Sequence, residues 1–481
     1  MTKTYIRRLL LMSIWALGCC PAFAQDGHYW TQQYGTKSML LSGSVIGGVD
    51  DLGAVFYNPG RLAVISNAAF LLSANVYEYN AITISDAFGN SKNATKSTIK
   101  GVPTLAAGSF KLRWLPRHHF AYAVMTRQSS DMSFSFQGEQ HQDVIAALPG
   151  VEYFGAGVEY IQKSNEQWIG LTWSHAITPK ISVGVTTNYT SNSQSKGAKI
   201  DLQALSANNE TAMYRYNRTY DYKQSGLLWK AGLAATAGPW QLGLTITTPM
   251  INLSGSGNYN YEEFYKGIPA LNKADIYSTS YQTGLKVTNQ TPWSVGVGAS
   301  RKIGRNKIHF SSEWYSSVSK YTLMNAADHI SQSNPTDTVR FHLVDQLKSV
   351  WNAGLGMEFY ISEHVSGFGS FSTDFTAVTN DLYRFAQRAP EANNSGWNTD
   401  FYHVGGGIVI NLKGADITLG ATHTGASQAI ARPVNFPDNG NQSIFNGTDN
   451  ANLQWDRWRL VFSFSLPFLK NYTDKFTEEK K

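Results

Sequence analysis

The sequence predicts an all-β fold, a transmembrane antiparallel barrel of about fourteen strands, on three observations. Charged residues are 15% of the 481-residue chain and aromatics 13%, whereas a soluble domain averages roughly 25% charged. Segments of period-two alternation recur from about residue 67 to 468. The connections between them alternate short and long. No segment after the N-terminal leader holds the roughly 18 consecutive apolar residues that a membrane helix needs.

The alternation is clearest at the end of the chain. Trp458, Leu460, Phe462, Phe464, Leu466 and Phe468 share one face, and Arg457, Arg459, Val461, Ser463 and Ser465 share the other. Successive side chains on a strand point to opposite faces, so one row suits lipid and the other a polar lumen. The same holds for Trp351, Ala353, Leu355, Met357, Phe359 and Ile361 against Asn352, Gly354, Gly356 and Glu358. It holds again for Trp240, Leu242, Leu244 and Ile246 against Gln241, Gly243, Thr245 and Thr247. Trp or Tyr at a strand end suits the headgroup level.

Fourteen strands are expected near 68–79, 103–114, 118–137, 166–176, 180–191, 225–237, 239–252, 290–302, 306–318, 349–361, 364–376, 401–412, 415–427 and 455–468. The stretch 166–176 has the option of merging with strand-like 151–163, and 364–376 alternates poorly. The short connections are Leu115-Pro116-Arg117, Thr178-Pro179, Gly238, Gly304-Arg305, Ser362-Glu363 and Lys413-Gly414. The long ones cover 80–102, 138–165, 192–224, 253–289, 319–348, 377–400 and 428–454. Membrane barrels sort their loops this way, with periplasmic turns on one side and extracellular loops on the other. An even strand count puts both chain ends on the periplasmic side. Closure gives every backbone N–H and C=O a partner inside hydrocarbon.

Residues 1–24 read as a signal peptide, with Arg7 and Arg8, the apolar run Leu9 to Leu17, and Ala22-Phe23-Ala24 as cleavage pattern. A lipoprotein alternative at Cys19 is disfavoured by Ala16, which stands where Leu is usual. Cys19 and Cys20 are the only cysteines. Cleavage after Ala24 would therefore leave no disulfide, thiolate site or thiol nucleophile. Removing Lys3, Arg7 and Arg8 takes the formal charge of +6 to +3, too small and scattered for nucleic acid.

Residues 25–66 do not read as barrel. They contain Gly47-Gly48-Val49-Asp50-Asp51-Leu52-Gly53-Ala54-Val55-Phe56-Tyr57-Asn58-Pro59-Gly60. A Gly-rich run, an acidic pair, small residues and aromatic-Asn-Pro in this order resemble the start of the FadL/OmpP1/TodX family of outer-membrane hydrocarbon transporters. The continuation Gly60-Arg61-Leu62 departs from that family's Ala-Gly-Leu. The resemblance implies a fourteen-stranded barrel whose N-terminal segment (25–66) folds back into the lumen as a hatch. The competing reading makes it a periplasmic lead-in. The barrel then covers 67–468, and 469–481 is a charged periplasmic tail.

In that family ligand is captured at the extracellular end and leaves sideways at the third strand. The third strand here has a polar break, Thr126, Gln128 and Ser130 with Asp131 beside it, between apolar Phe120, Tyr122 and Val124 and Met132, Phe134 and Phe136. Either the strand kinks beside a lateral gap or its upper part stands above the membrane. Leu148, Pro149, Val151, Tyr153 and Phe154 form an apolar patch in a polar loop, read as a capture groove or as a small private core.

No catalytic motif, metal-ligand spacing or phosphate loop is present, and the 11 histidines are dispersed. No cofactor is expected, and Asp50-Asp51 read as a solvated or salt-bridged pair. The function expected is passive uptake of hydrophobic small molecules such as long-chain fatty acids by a monomer. Its other partners would be outer-membrane lipids and, during biogenesis, the barrel-assembly machinery. A structural or docking barrel in secretion or surface assembly is the alternative.

Overall fold

The computed structural model describes residues 27–65, 70–87, 93–112, 114–115, 117–131, 133–143, 150–267, 274–379, 391–393, 398–431 and 450–466. The proposed leader, the tail after Leu466, and Leu148 and Pro149 lie outside them. Seventeen strand segments share one sheet. In three places two segments continue each other along the same neighbour, so the wall has fourteen spans. These are β1 (Phe70–Ser85), β2 (Ala94–Lys111), β3 (His118–Asp131 and Phe134–Gln142), β4 (Glu152–Thr178) and β5 (Ile181–Leu205). Next come β6 (Thr211–Ala237), β7 (Trp240–Thr247 and Ile251–Lys266), β8 (Ile276–Lys286 and Ser294–Ile303), β9 (Asn306–Tyr315) and β10 (Val350–Tyr360). The last four are β11 (Val365–Asp374), β12 (Phe401–Leu412), β13 (Ala415–Ala431) and β14 (Asn450–Leu466). Each pairs antiparallel with the next, and β14 returns to β1 from Phe70↔Leu466 to Ser85↔Asn452. The barrel is closed.

The alternation sorts as expected. On β14, Trp458, Leu460 and Phe462 are exposed on the outside, while Arg457, Arg459, Ser463 and Ser465 are buried. Outward Tyr79, Trp351, Tyr402 and Trp458 ring one rim of the apolar band, and Trp173, Trp240 and Phe359 ring the other. All six short turns fall where the sequence places them. Gly238 and Gly304 take positive φ of 58° and 59°, which suits residues lacking Cβ.

The long connections are a correction. β4 absorbs 151–163 and runs for 27 residues, whereas a bilayer crossing takes roughly 9–11. β5 and β6 fill most of 192–224, and a five-residue turn, 206–210, joins them. β7 and β8 likewise occupy much of 253–289. Above the membrane neither face of a strand meets lipid, so the apolar outer row disappears. β6 there sets Tyr216, Arg218, Tyr220 and Tyr222 inward and Arg215, Asn217, Thr219 and Asp221 outward. That composition reads as loop. β7 and β8 break near Pro249 and Pro292, which have no N–H to give a ladder.

The connection 316–349 folds inward. Its strands Val318–Asn325 and His342–Leu347 pair antiparallel. Met324, Phe341 and Leu343 are buried against Tyr220, Tyr222, Tyr259 and Val287 of the tall wall. Phe341 stacks on Tyr259 with ring centroids 4.1 Å apart and lies beneath the Arg218 guanidinium at 4.7 Å. The outer half of the lumen is filled by this loop.

The band height is testable. Leu419→Arg, outward in mid-band, is expected to cost about 2–4 kcal/mol in urea titrations in lipid vesicles. Tyr281→Arg, outward on the tall wall, stays within about 0.5 kcal/mol. Equal costs would misplace the membrane.

Candidate functional site: a filled lumen beside a broken wall

Residues 27–65 are held by inward-facing groups around the wall. Ile46 N donates to Ser311 Oγ of β9 (3.0 Å), Thr186 Oγ1 of β5 to Val55 O (2.9 Å) and Ser370 Oγ of β11 to Leu40 O (2.7 Å). Ala63 N donates to Ser174 Oγ of β4 (3.2 Å). Asp374 of β11 accepts from Tyr29 N, Trp30 N and Thr31 Oγ1 at 2.8, 3.0 and 2.9 Å. A segment bonded to β4, β5, β9 and β11 at once lies inside the barrel.

The segment's motif residues make this fit. Asp51 is buried and gathers five donors. Thr36 N, Thr36 Oγ1 and Ser38 N reach one oxygen (2.8, 3.1 and 3.1 Å), and Ser38 Oγ and Gly53 N reach the other (3.0 and 2.8 Å). Burial and the charge of Asp50 push its carboxyl pKa up, and the N–H groups of Ser38 and Gly53 pull it down. Asp50 instead is exposed and pairs with Lys37 at 3.6 Å. Asn58 accepts from Gly60 N (3.0 Å) and donates to Ile46 O (2.9 Å) and to Leu233 O of β6 (3.1 Å). Pro59 opens a 3-10 turn, Pro59–Val64, where its missing N–H costs nothing. A Cβ on Gly60 would lie 2.8 Å from Gly232 O, and one on Gly47 2.7 Å from Gly298 O. One on Gly48 would collide with Ser300 Oγ. Arg61, the departure from the family pattern, folds back to give Nε to Val49 O (3.1 Å).

Phe56 marks a small chamber above the segment. Tyr34 lies 4.5 Å from its ring and Trp168 6.1 Å, and the cations of Arg127 and Lys230 approach to 5.6 and 4.9 Å. Lys230 faces Glu313 at 3.6 Å, and Glu313 also accepts from Trp30 Nε1, Ser294 Oγ and Tyr315 OH (3.1, 2.7 and 2.7 Å). The cavity here is about 40 Å³, against roughly 300–1,000 Å³ for ligand pockets. The described residues leave this chamber too small for such a ligand.

The wall breaks at the third strand. The β2–β3 ladder runs from Lys111↔His119 to Leu105↔Met125 and stops. Above it, among the described residues, β2 pairs only with β1, up to Ala94, and β3 only with β4. Pro103 sits on the freed edge of β2, as edge prolines do. Ile99, further up that edge, is level with Tyr79 and Trp458 in the ladder, so the break opens within the apolar band. Between Thr126 and Gln128 the β3–β4 register slips, and Arg127 is the extra residue of a bulge. The slip flips the rows. Thr126 ends the outward row, Gln128 and Ser130 turn inward to line a crevice with His28, Gln162 and Arg457, and Asp131 turns outward. The polar break in the sequence is therefore a bulge.

The loop patch does not share a face. Val151 and Tyr153 are exposed, Tyr153 stacking on His141 at 4.0 Å, while Phe154 is buried inside the tall wall. All three belong to β4 or its start rather than to a loop, so the predicted groove is not assembled by the described residues. Sequence reasoning missed Arg127, Lys230 and Glu313. Their one signal is a charge on the lumen-facing row of a barrel strand.

The Asp51 knot makes a prediction. Asp51→Ala orphans buried donors on Thr36, Ser38 and Gly53, at about 1–3 kcal/mol for each. Amide exchange across 36–53 should quicken while the heat-modifiable gel mobility of the barrel is unchanged. Wild-type protection would show that something else holds the segment.

No protein-family model and no curated protein matches the chain. Solved structures do. A Pseudomonas aeruginosa FadL homologue aligns at TM-score 0.51 and 11% identity, over 93% of this chain and 100% of that one. The P. putida toluene transporter TodX aligns at TM-score 0.53 and 11% identity, over 90% and 98%. Agreement over nearly the full length of both, at so low an identity, is agreement of fold. This chain has the fold of the FadL- and TodX-type barrels.

Proposed function

We propose that the protein is an outer-membrane channel for passive uptake of hydrophobic small molecules, with residues 27–65 as its hatch and the β2–β3 break as a lateral exit. The break carries the proposal. A transmembrane wall with unpaired backbone in the apolar band is costly, and an opening there lets an apolar solute reach lipid without crossing the polar lumen floor. The solved barrels of the same fold include a toluene transporter, which supports this class of cargo. Long-chain fatty acids and aromatic hydrocarbons impose the same demands on such a path, so the cargo class proposed is lipophiles in general. Partition into apolar sites followed by diffusion needs no reacting group. Among the described residues, no cluster of His, Cys, Asp and Glu could hold a metal ion.

Two movements are required. The loop 316–349 must leave the outer lumen to admit cargo, and the β2–β3 edges must part to release it.

Uptake of labelled lipophiles by cells with and without the gene tests the reading, and equal uptake would remove it. Joining Ser97→Cys and Asp131→Cys, which flank the break on the outside, with a reducible cross-linker should bring uptake to background until reduction. Unaltered flux would exclude the lateral exit. A disulfide between Gly257→Cys and Met324→Cys, neighbours in the structure, should block entry in the same reversible way if the loop is a lid.

A further inference from the structure

We infer that the lateral break is a gate held shut by two lysines, and that a row of charges couples this gate to the luminal segment; this rests on the uptake reading above. Lys100 Nζ reaches across the break to Ser129 O of β3 at 3.0 Å and to Ser129 Oγ at 3.3 Å. Lys96 Nζ reaches Ser133 O in the same way. These ammonium groups stand where a ladder would otherwise bond the β3 edge. Behind Lys100 the row continues on the luminal face. Lys100 and Glu78 are ladder partners, as are Glu78 and Arg459. Glu78 Oε1 lies 3.5 Å from Lys100 Nζ, and Glu78 Oε2 accepts from Arg459 Nε at 2.7 Å. Arg459 Nη1 donates to Thr31 O of the luminal segment at 2.7 Å. Four links therefore join the backbone of that segment to the far edge of the break.

A latch of this kind is reversible where a ladder is not. Each lysine bond sits on a flexible four-carbon stem and breaks alone, whereas ladder bonds break together. Glu78 and Arg459 are each 1% exposed, so their bonds are made in low dielectric and their partners are not easily replaced by water. Glu78 divides its two oxygens between two cations, and Oε1 also accepts from Asn80 Nδ2 at 3.0 Å. Arg459 Nη2 has no hydrogen-bond partner among the described residues. When Thr31 withdraws, the Arg459 guanidinium is free to turn and take both Glu78 oxygens as a fork, the geometry it prefers. That removes Oε1 from Lys100 and leaves the bond to Ser129 unsupported. The two states thus differ in named contacts, which is the condition for coupling two sites. With the segment in place the gate is closed, and with the segment displaced it loosens.

The test uses the full chain, with Cys19→Ser and Cys20→Ser, reconstituted in phosphatidylcholine vesicles. Nitroxide labels on Ile99→Cys and Asp131→Cys span the break. Glu78→Gln touches no atom of β3, yet it should move the label separations to longer values and raise the influx of pyrene-labelled dodecanoic acid several-fold. Asp374→Ala, which frees Tyr29, Trp30 and Thr31, should do the same, and adding Arg459→Met to it should restore the wild-type separations by leaving both Glu78 oxygens to Lys100; folding of each variant is judged by heat-modifiable gel mobility. Arg215→Met, which removes an exposed ion pair with Asp201, should leave the separations unchanged. Wild-type separations in both Glu78→Gln and Asp374→Ala would overturn the coupling, and so would equal lengthening in Arg215→Met. Longer separations with no probe influx in any protein would keep the gate and overturn the uptake reading instead.

Discussion

The structure depends on one constraint, that backbone N–H and C=O groups inside hydrocarbon must find partners within the chain. The continuous ladder from β1 round to β14 and back meets it. Closure then forces alternation, alternation sets an apolar outside against a polar inside, and a polar inside accepts water or a polar stretch of chain. The luminal segment and the inward loop 316–349 both bond to that polar lining. Against this background the interrupted β2–β3 ladder is the informative exception. The cost of freeing those edges is offset only in part by Lys96 and Lys100.

Much of the barrel was legible because lipid imposes a strict rhythm. Trp458, Leu460 and Phe462 announce an outer face, and Gly238 or Lys413-Gly414 announce a turn. The rhythm fades where lipid stops. Residues 192–205 and 211–224 are strand, yet with Ser, Gln and Lys on one row and Tyr on the other they resemble loop. The loop 316–349 was invisible as a plug because its contacts with Tyr259 and Val287 span distant parts of the chain.

The candidate site was half legible. Asn58-Pro59-Gly60 and Asp51 stood out by composition, and each has a defined task inside the barrel. The polar break at Thr126 to Asp131 was visible in the sequence, but the bulge there that reverses the rows depends on pairing with Glu166 and Gln167. Arg459 could be placed on the inner face, but its partner Glu78 lies at the opposite end of the sequence, and only closure makes them neighbours. The patch around Tyr153 misled because apolar residues in a polar stretch say nothing about which side of a tall strand they occupy.

The glycines that meet the luminal segment, Gly184, Gly232, Gly243 and Gly298 on the wall and Gly47 and Gly60 on the segment, leave no clearance for even one methyl group. The stretch from Gly47 to Gly60 is thereby seated against the wall backbone to backbone, and a larger residue at any of these six positions would have to lift it from that seat.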